Sequence, residues 1–180
     1  VSQAIEDFRI PYADKGVTLV PPDALRGKKN LKPEQLASAL GVLPSTAPGV
    51  LAPNELRVSA DAETLRIALG NLLSNALKYT APGGTVHLLC RQEKDQILLS
   101  VEDNGVGVPP EHASRIFEKF FRAPQSGTAG AGLGLAISRE IAVRHGGSLE
   151  YAPNAAEGGG SVFKLRLPLL TQPEALGNPG

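Results

Sequence analysis

The chain has 180 residues, 42% of them hydrophobic, which suits one domain with a buried core and excludes wholesale disorder. Eighteen lysines and arginines balance eighteen aspartates and glutamates, so the net charge is zero and no global field favours nucleic acid or anionic lipid. The single cysteine, Cys90, excludes an internal disulfide and a cysteine-based metal centre, and no apolar run reaches the ~20 residues that cross a bilayer.

Residues 1–15 read as the end of a helix, with Val1, Ile5 and Phe8 at helical spacing, followed by a strand at 16–20. Residues 21–54 are proline-rich and read as a surface insertion or long loop, with a short helix at "PEQLASAL". Ser59 or Asp61 caps a helix that runs to about Tyr79, where "TAPGG" stops it. Strands are expected near 84–91 and 96–102, joined by a turn at "EKD", and their pairing as an antiparallel hairpin points to a mixed sheet with helices on one face. "PEHASRIFEKFF" (110–121) predicts a helix. After the glycine- and alanine-rich residues 123–132 comes an amphipathic helix, "LGLAISREIAVRH", ended by Gly146 and Gly147. Strands at 148–153 and 161–169 close the domain, and 171–180 form a loose tail. The chain lacks methionine and starts at Val1, as expected of a piece of a longer protein.

The helix ending at Tyr79 carries an unusual stripe. Asn71, Asn75 and Lys78 share one narrow face, beside a core face of Leu65, Leu69, Leu72 and Ala76. Asparagine is a poor helix-interior residue, because its amide competes with the backbone. Amide oxygens can ligate a hard cation such as magnesium, and a lysine one turn on can meet a polyanion. Alone, the stripe reads as an ordinary solvated face.

Three glycine-rich segments follow. In "EDNGVGVP", Asp103 ends a strand and Gly105 and Gly107 allow close backbone approach. A carboxylate there can accept a hydrogen bond from an amino group such as that of adenine, although "DNG" alone is a turn. In "GAGLGLAISRE", Gly130, Gly132 and Gly134 open a helix, whose free amides and dipole favour an anion. The spacing is neither a Walker pattern nor a dinucleotide fingerprint. "EGGGSVF" (157–163) reads equally as a tight connection or a ligand contact. Between the first two lies "RIFEKFFR", which holds three of the five phenylalanines among Arg115, Lys119 and Arg122 and reads either as an amphipathic helix with its core face or as a movable flap.

Taken in order, Asn71-x-x-x-Asn75-Ala-x-Lys78-Tyr79, Asp103-x-Gly105-x-Gly107, Phe117-x-x-Phe120-x-Arg122 and Gly130-x-Gly132-Leu-Gly134-Leu135 resemble the N, G1, F and G2 boxes of the catalytic ATP-binding domain of bacterial sensor histidine kinases. The match spans about Asp61 to Leu169, and the closing "RHGGSLEY" and "GGGSVFKLRLP" also fit. The resemblance implies an α+β fold: a two-layer α/β sandwich of the Bergerat type, its mixed sheet packed on helices, with a mobile ATP lid. It places the domain at 1–170 and implies ATP and magnesium. Asn75 would hold the metal, with Asn71 and Lys78 near the phosphates. Tyr79 would lie by adenine or ribose, and Asp103 would bind the adenine amine beside Gly105 and Gly107. Lys119 and Arg122 would belong to the lid, and Gly130, Gly132, Gly134 and Leu135 to the phosphate-side loop. Lys119 stands where arginine is common, and Ser161 where threonine is usual.

The related ATPases carry a glutamate four residues before the first asparagine, where this chain has Ile67. Isoleucine takes no proton, so water would stay unactivated, whereas a neutral imidazole already has a free lone pair. A histidine acceptor is therefore expected over hydrolysis. His87, His112 and His145 each read as structural or surface residues, which leaves the acceptor on a separate dimerisation helix pair. The resemblance further implies a response regulator as partner, no nucleic acid, and a cytoplasmic position in a parent attached to the inner membrane. A nucleotide-sensing or docking module of the same fold is the alternative.

Overall fold

The structure, a computed structural model, describes residues 2–20, 61–122, 131–155 and 159–169. The expected insertion at 21–54 and tail at 171–180 lie outside the described residues. Helix α1 (Ser2–Asp14) is followed by β1 (Thr18–Val20), helix α2 (Ala62–Tyr79), strands β2 (Thr85–Glu93) and β3 (Gln96–Asp103), helix α3 (Gly134–Arg144), and strands β4 (Ser148–Pro153) and β5 (Ser161–Pro168). The strands form one sheet in the order β1-β2-β3-β5-β4. β1 runs parallel to β2, and the other pairs are antiparallel.

Local chemistry accounts for the element ends. Asp61 is the cap of α2, its carboxylate accepting the Glu63 N–H at 2.9 Å. At the other end, Lys15 Nζ donates to the Leu77 and Lys78 carbonyls at 2.5 and 3.1 Å, where the helix dipole is negative. The β2–β3 hairpin turns at Lys94 and Asp95, with Glu93 paired to Gln96.

Alternation in the sheet separates two faces. The inward row of β3 is Ile97, Leu99 and Val101; in register beside it lie Leu88 on β2 and Phe163 and Leu165 on β5. Against this row pack Leu69, Leu72, Leu73 and Ala76 of α2, with Tyr12 and Val17 from the first segment and Ala142 of α3. The result is two layers, helices on one face of a mixed sheet. On the outward face, Leu98 is buried between its register partners Arg91 and Arg166. Their guanidiniums pair with carboxylates: Arg91 with Glu93 at 2.6 Å, and Arg166 with Glu150 at 2.6 Å and Glu93 at 3.7 Å. The long stems thus cover an apolar side chain and keep the charges in water.

The helix expected over 110–121 does not form. A single 3₁₀ turn at Pro110–His112 is followed by successive i to i−3 bonds, from Arg115 N–H to His112, Glu118 N–H to Arg115 and Phe121 N–H to Glu118. Phe120 then adopts φ +65°, which no α-helix allows, and its N–H donates to the Gly132 carbonyl at 2.9 Å. Ties to distant residues override the local periodicity: Ile116 is buried, and Phe117 lies under Arg139 of α3 at 5.3 Å.

Leu73 is fully buried between α2 and the sheet. Leu73→Ala should lower the unfolding free energy by ~2–5 kcal/mol. Urea titration followed by circular dichroism measures this as a lower midpoint at unchanged slope.

Candidate functional site

The inward row of β3 does not stop at Val101. Its next member is Asp103, in register with Val86 and Ser161, and it is 2% exposed. Asp103 Oδ1 accepts two main-chain hydrogen bonds, from Gly105 N–H at 3.0 Å and Ser161 N–H at 3.2 Å. No cation pairs with it among the described residues. Burial pushes its carboxyl above the usual carboxylate range, and the two N–H groups pull it part of the way back. A carboxyl perturbed by burial in this way is a candidate functional group.

The loop after β3 is bound tightly to the end of α2. Val106 N–H donates to the Tyr79 carbonyl at 3.2 Å, and a Cβ on Gly105 would come within 2.3 Å of that oxygen. A Cβ on Gly160 would come within 1.9 Å of the Asp103 carbonyl. Both positions exclude a side chain. Asn154 Nδ2 donates to the same Asp103 carbonyl at 2.9 Å. Tyr79, Asp103, Gly105 and Gly107 therefore stand together, with Lys78 Nζ 5.2 Å over the Tyr79 ring.

A second group forms where α2 meets α3. Asn71 Nδ2 donates to the Gly134 carbonyl at 3.1 Å and to Ser138 Oγ at 3.3 Å. Ser138 is fully buried, and its hydroxyl lies within hydrogen-bond distance of the Ala68 carbonyl, 3.2 Å, and the Gly134 carbonyl, 2.9 Å. Asn71 thus directs its donors into a helix–helix joint. This is the compensation that an asparagine inside a helix requires. Asn75, one turn on, is half-buried. Leu135 packs against the core. Gly130 lies outside the described residues.

Lys119 and Arg122 form a third group. With His112, Arg115, Glu118, Phe120 and Phe121 they line an open cleft of about 370 Å³. Asp103, Asn71 and Asn75 do not line it. Arg115 is engaged within the cleft, paired with Glu118 at 3.1 Å and stacked 4.6 Å over Phe121. Gly132 joins this group to α3, since its carbonyl holds Phe120.

Sequence reasoning missed Ser138 and Asn154, and left Gly160 open, since "EGGGSVF" read equally as a tight connection or a ligand contact. Ser138 is one turn from Gly134 on the same helix face, but nothing in "LAIS" distinguishes a buried clasp from a core serine. The role of Gly160 depends on register with β3, which the single chain does not display.

This arrangement matches a known family. Residues 60–171 fit the model described as "Histidine kinase-, DNA gyrase B-, and HSP90-like ATPase", and the chain belongs to that family. Among curated relatives, the sensor-like histidine kinase SenX3 of Mycobacterium tuberculosis is 40% identical over 124 residues, 67% of this chain and 30% of SenX3. The sensor histidine kinase RppB of Synechocystis is 35% identical over 126 residues, 68% of this chain and 27% of RppB. The chain thus spans less than a third of the length of these relatives. Among solved structures, the mycobacterial sensor histidine kinase MprB superposes with a TM-score of 0.68 at 26% identity, covering 93% of this chain and 92% of that one. The fold is the Bergerat sandwich of histidine kinase ATP-binding catalytic domains, as the resemblance implied.

Ser138→Ala removes one of the two acceptors of Asn71 Nδ2. It should lower stability by ~0.5–1.5 kcal/mol. In the NMR spectrum the Asn71 side-chain amide resonances should move, while those of Asn104 stay in place.

Proposed function

We propose that this domain binds magnesium-ATP and donates the γ-phosphoryl group to a histidine on a separate helical segment of a sensor kinase. The observation that carries the reading is the polarity of Asp103. One carboxylate oxygen is held by two main-chain donors, which leaves the other to accept from an exocyclic amine. The buried setting makes that bond strong and selective for adenine over a base with a carbonyl in its place.

The triphosphate would then extend from Tyr79 and Lys78 toward Asn71 and the start of α3, where the helix dipole is positive. Asn75 fits a magnesium ligand: its amide oxygen is a hard donor, and no cluster of carboxylates or histidines competes for the ion among the described residues. A magnesium ion held there by Asn75 would supply charge neutralisation to the phosphates. Lys119 and Arg122 would close over the nucleotide from the basic cleft, as parts of a lid.

Ile67 supports transfer over hydrolysis. It is 46% exposed and offers no proton acceptor where the related ATPases have a glutamate. A histidine nitrogen needs no such base: its lone pair forms the P–N bond as the bond to the β,γ-bridging oxygen breaks, and that electron pair leaves on ADP. The domain's part is to position and neutralise. The solved structure of full-length ShkA in complex with AMPPNP, 28% identical over 95% of this chain and 29% of that one with a TM-score of 0.63, shows an ATP analogue bound to a protein of this kind. We further propose the cytoplasmic side of a membrane-attached sensor as the domain's setting and a response regulator as its downstream partner, with no nucleic acid bound.

Calorimetry with magnesium-AMPPNP tests the adenine contact. Asp103→Asn should weaken binding by ~1.5–3 kcal/mol, because a charge-assisted bond is lost; unchanged affinity would remove Asp103 from the site. Because its folded pKa is raised, ionised Asp103 lowers the stability of the empty domain at neutral pH. That cost fades as pH falls through the raised pKa. Asp103→Asn should therefore melt higher than the parent domain near pH 8, with the gap narrowing toward pH 4. Mixing the domain with the phosphoacceptor helices of its parent and labelled ATP should give an acid-labile, base-stable phosphoprotein. Bound ATP without transfer would instead identify a nucleotide-sensing module.

A further inference from the structure

The segment His145-Gly146-Gly147 takes no part in the chemistry above, yet its histidine bridges the two helices that carry the site. Its glycines are accounted for locally. Gly146 has φ +70°, its N–H donates to the Val143 carbonyl at 2.9 Å, and the Gly147 N–H donates to the Ala142 carbonyl at 2.9 Å. That pattern is a Schellman stop, and it needs no particular side chain at position 145.

The imidazole of His145 makes two further bonds. Nδ1 lies 2.8 Å from the Ile141 carbonyl, which can only accept, so Nδ1 carries the proton. Nε2 then presents a lone pair, and it accepts the Asp61 N–H at 3.0 Å. Asp61 is the cap of α2, and its other groups are engaged: the carboxylate with Glu63 N–H, the carbonyl with Leu65 N–H at 3.0 Å and Thr64 Oγ1 at 3.1 Å. One side chain therefore ties the end of α3 to the beginning of α2.

The spacing gives this tie its meaning. From Asp61 to Asn71 is ten residues along α2, and from Gly134 to His145 is eleven along α3, so each helix spans ~15–17 Å between its contacts. The helices run antiparallel, and α3 is clasped at both its ends, by Asp61–His145 at the start of α2 and by Asn71–Gly134 at its middle, with Ser138 on the Ala68 carbonyl between them. The side chains buried at this joint are small: Ala68, Ser138 and Ala142 are each 0% exposed. Small side chains present low ridges, so they resist axial sliding weakly. A slip of one residue, ~1.5 Å, would break both polar clasps.

We propose that His145, in its neutral Nδ1–H tautomer, is a positioning residue that sets the axial register of α3 on α2 and thereby holds Gly134 against Asn71. Its effect on affinity rests on the nucleotide reading; the register itself does not. Gln offers an acceptor oxygen near the place of Nε2 and retains the tie to Asp61, whereas Ala removes it. Nitrogen NMR of the parent domain at neutral pH should show His145 protonated at Nδ1 alone. In His145→Ala, the Gly134 and Ser138 amide resonances and the Asn71 side-chain amide should shift, although they lie far from the substitution. His145→Gln should return them toward their parent positions. At a temperature where circular dichroism shows all three proteins folded, magnesium-AMPPNP affinity should fall about 3- to 10-fold in His145→Ala and stay within about twofold in His145→Gln. An Nε2–H tautomer overturns the proposal. So does a His145→Ala protein that melts lower but keeps the Asn71 and Gly134 resonances in place, since His145 would then be only a helix stop. If the parent domain gives no heat with AMPPNP, the nucleotide reading has failed, and the tautomer and the Asn71 and Gly134 resonances decide the register claim alone. Should His145→Ala not fold, the tautomer of the parent and the spectrum of His145→Gln decide it.

Discussion

A carboxylate ends the row of β3 side chains that otherwise points into the apolar core, and much of the surrounding geometry follows from housing it. Taking an ionised group out of water is costly unless hydrogen bonds replace its hydration. Asp103 meets this with two main-chain donors on one oxygen, and each donor constrains its own segment. For Gly105 N–H to reach back, the loop must cross the Tyr79 carbonyl at a distance that excludes a Cβ. For Ser161 N–H to reach across, β5 must begin opposite Asp103, which presses Gly160 onto its carbonyl. Glycines that look like loose connections in the sequence are therefore points of closest approach.

The other half of the site depends on how two helices are matched end to end. Asn71 anchors that match, since both of its side-chain hydrogen bonds belong to the joint. A side chain already fixed by neighbours loses little entropy when a ligand arrives. The main-chain amides and the start of α3 are likewise fixed by the fold itself.

The helices, the hairpin and the mixed sheet were legible because their signals are local: an aspartate cap, a period of 3.6 or 2, and a glycine stop. Asp103 was legible only through the order of four short motifs, because "EDNG" by itself describes any turn. The segment 110–121 was misread for a physical reason. Ile116, Phe117, Phe120 and Phe121 have helical spacing, but what orders them lies elsewhere in the chain, in Arg139 and the Gly132 carbonyl. Ser138 and His145 were illegible in the same way, as their partners are Ala68, Asn71 and Asp61, some seventy to eighty residues away. The positions of Lys119 and Arg122 in a cleft of their own also depend on that irregular segment, so the spacing of their motif could not locate them.

The sheet's outward surface has a consequence for how such domains coexist. Arg91, Glu93, Glu150 and Arg166 form an alternating lattice of charge over Leu98, and stacking a second sheet upon it would mean stripping water from four ions at once. Helices occupy one side of the sheet, and this ionic cover makes the other an unfavourable platform for self-association. Many copies held side by side at high local concentration would therefore meet through their helical layer or their strand edges, and would remain separate across the flat of the sheet.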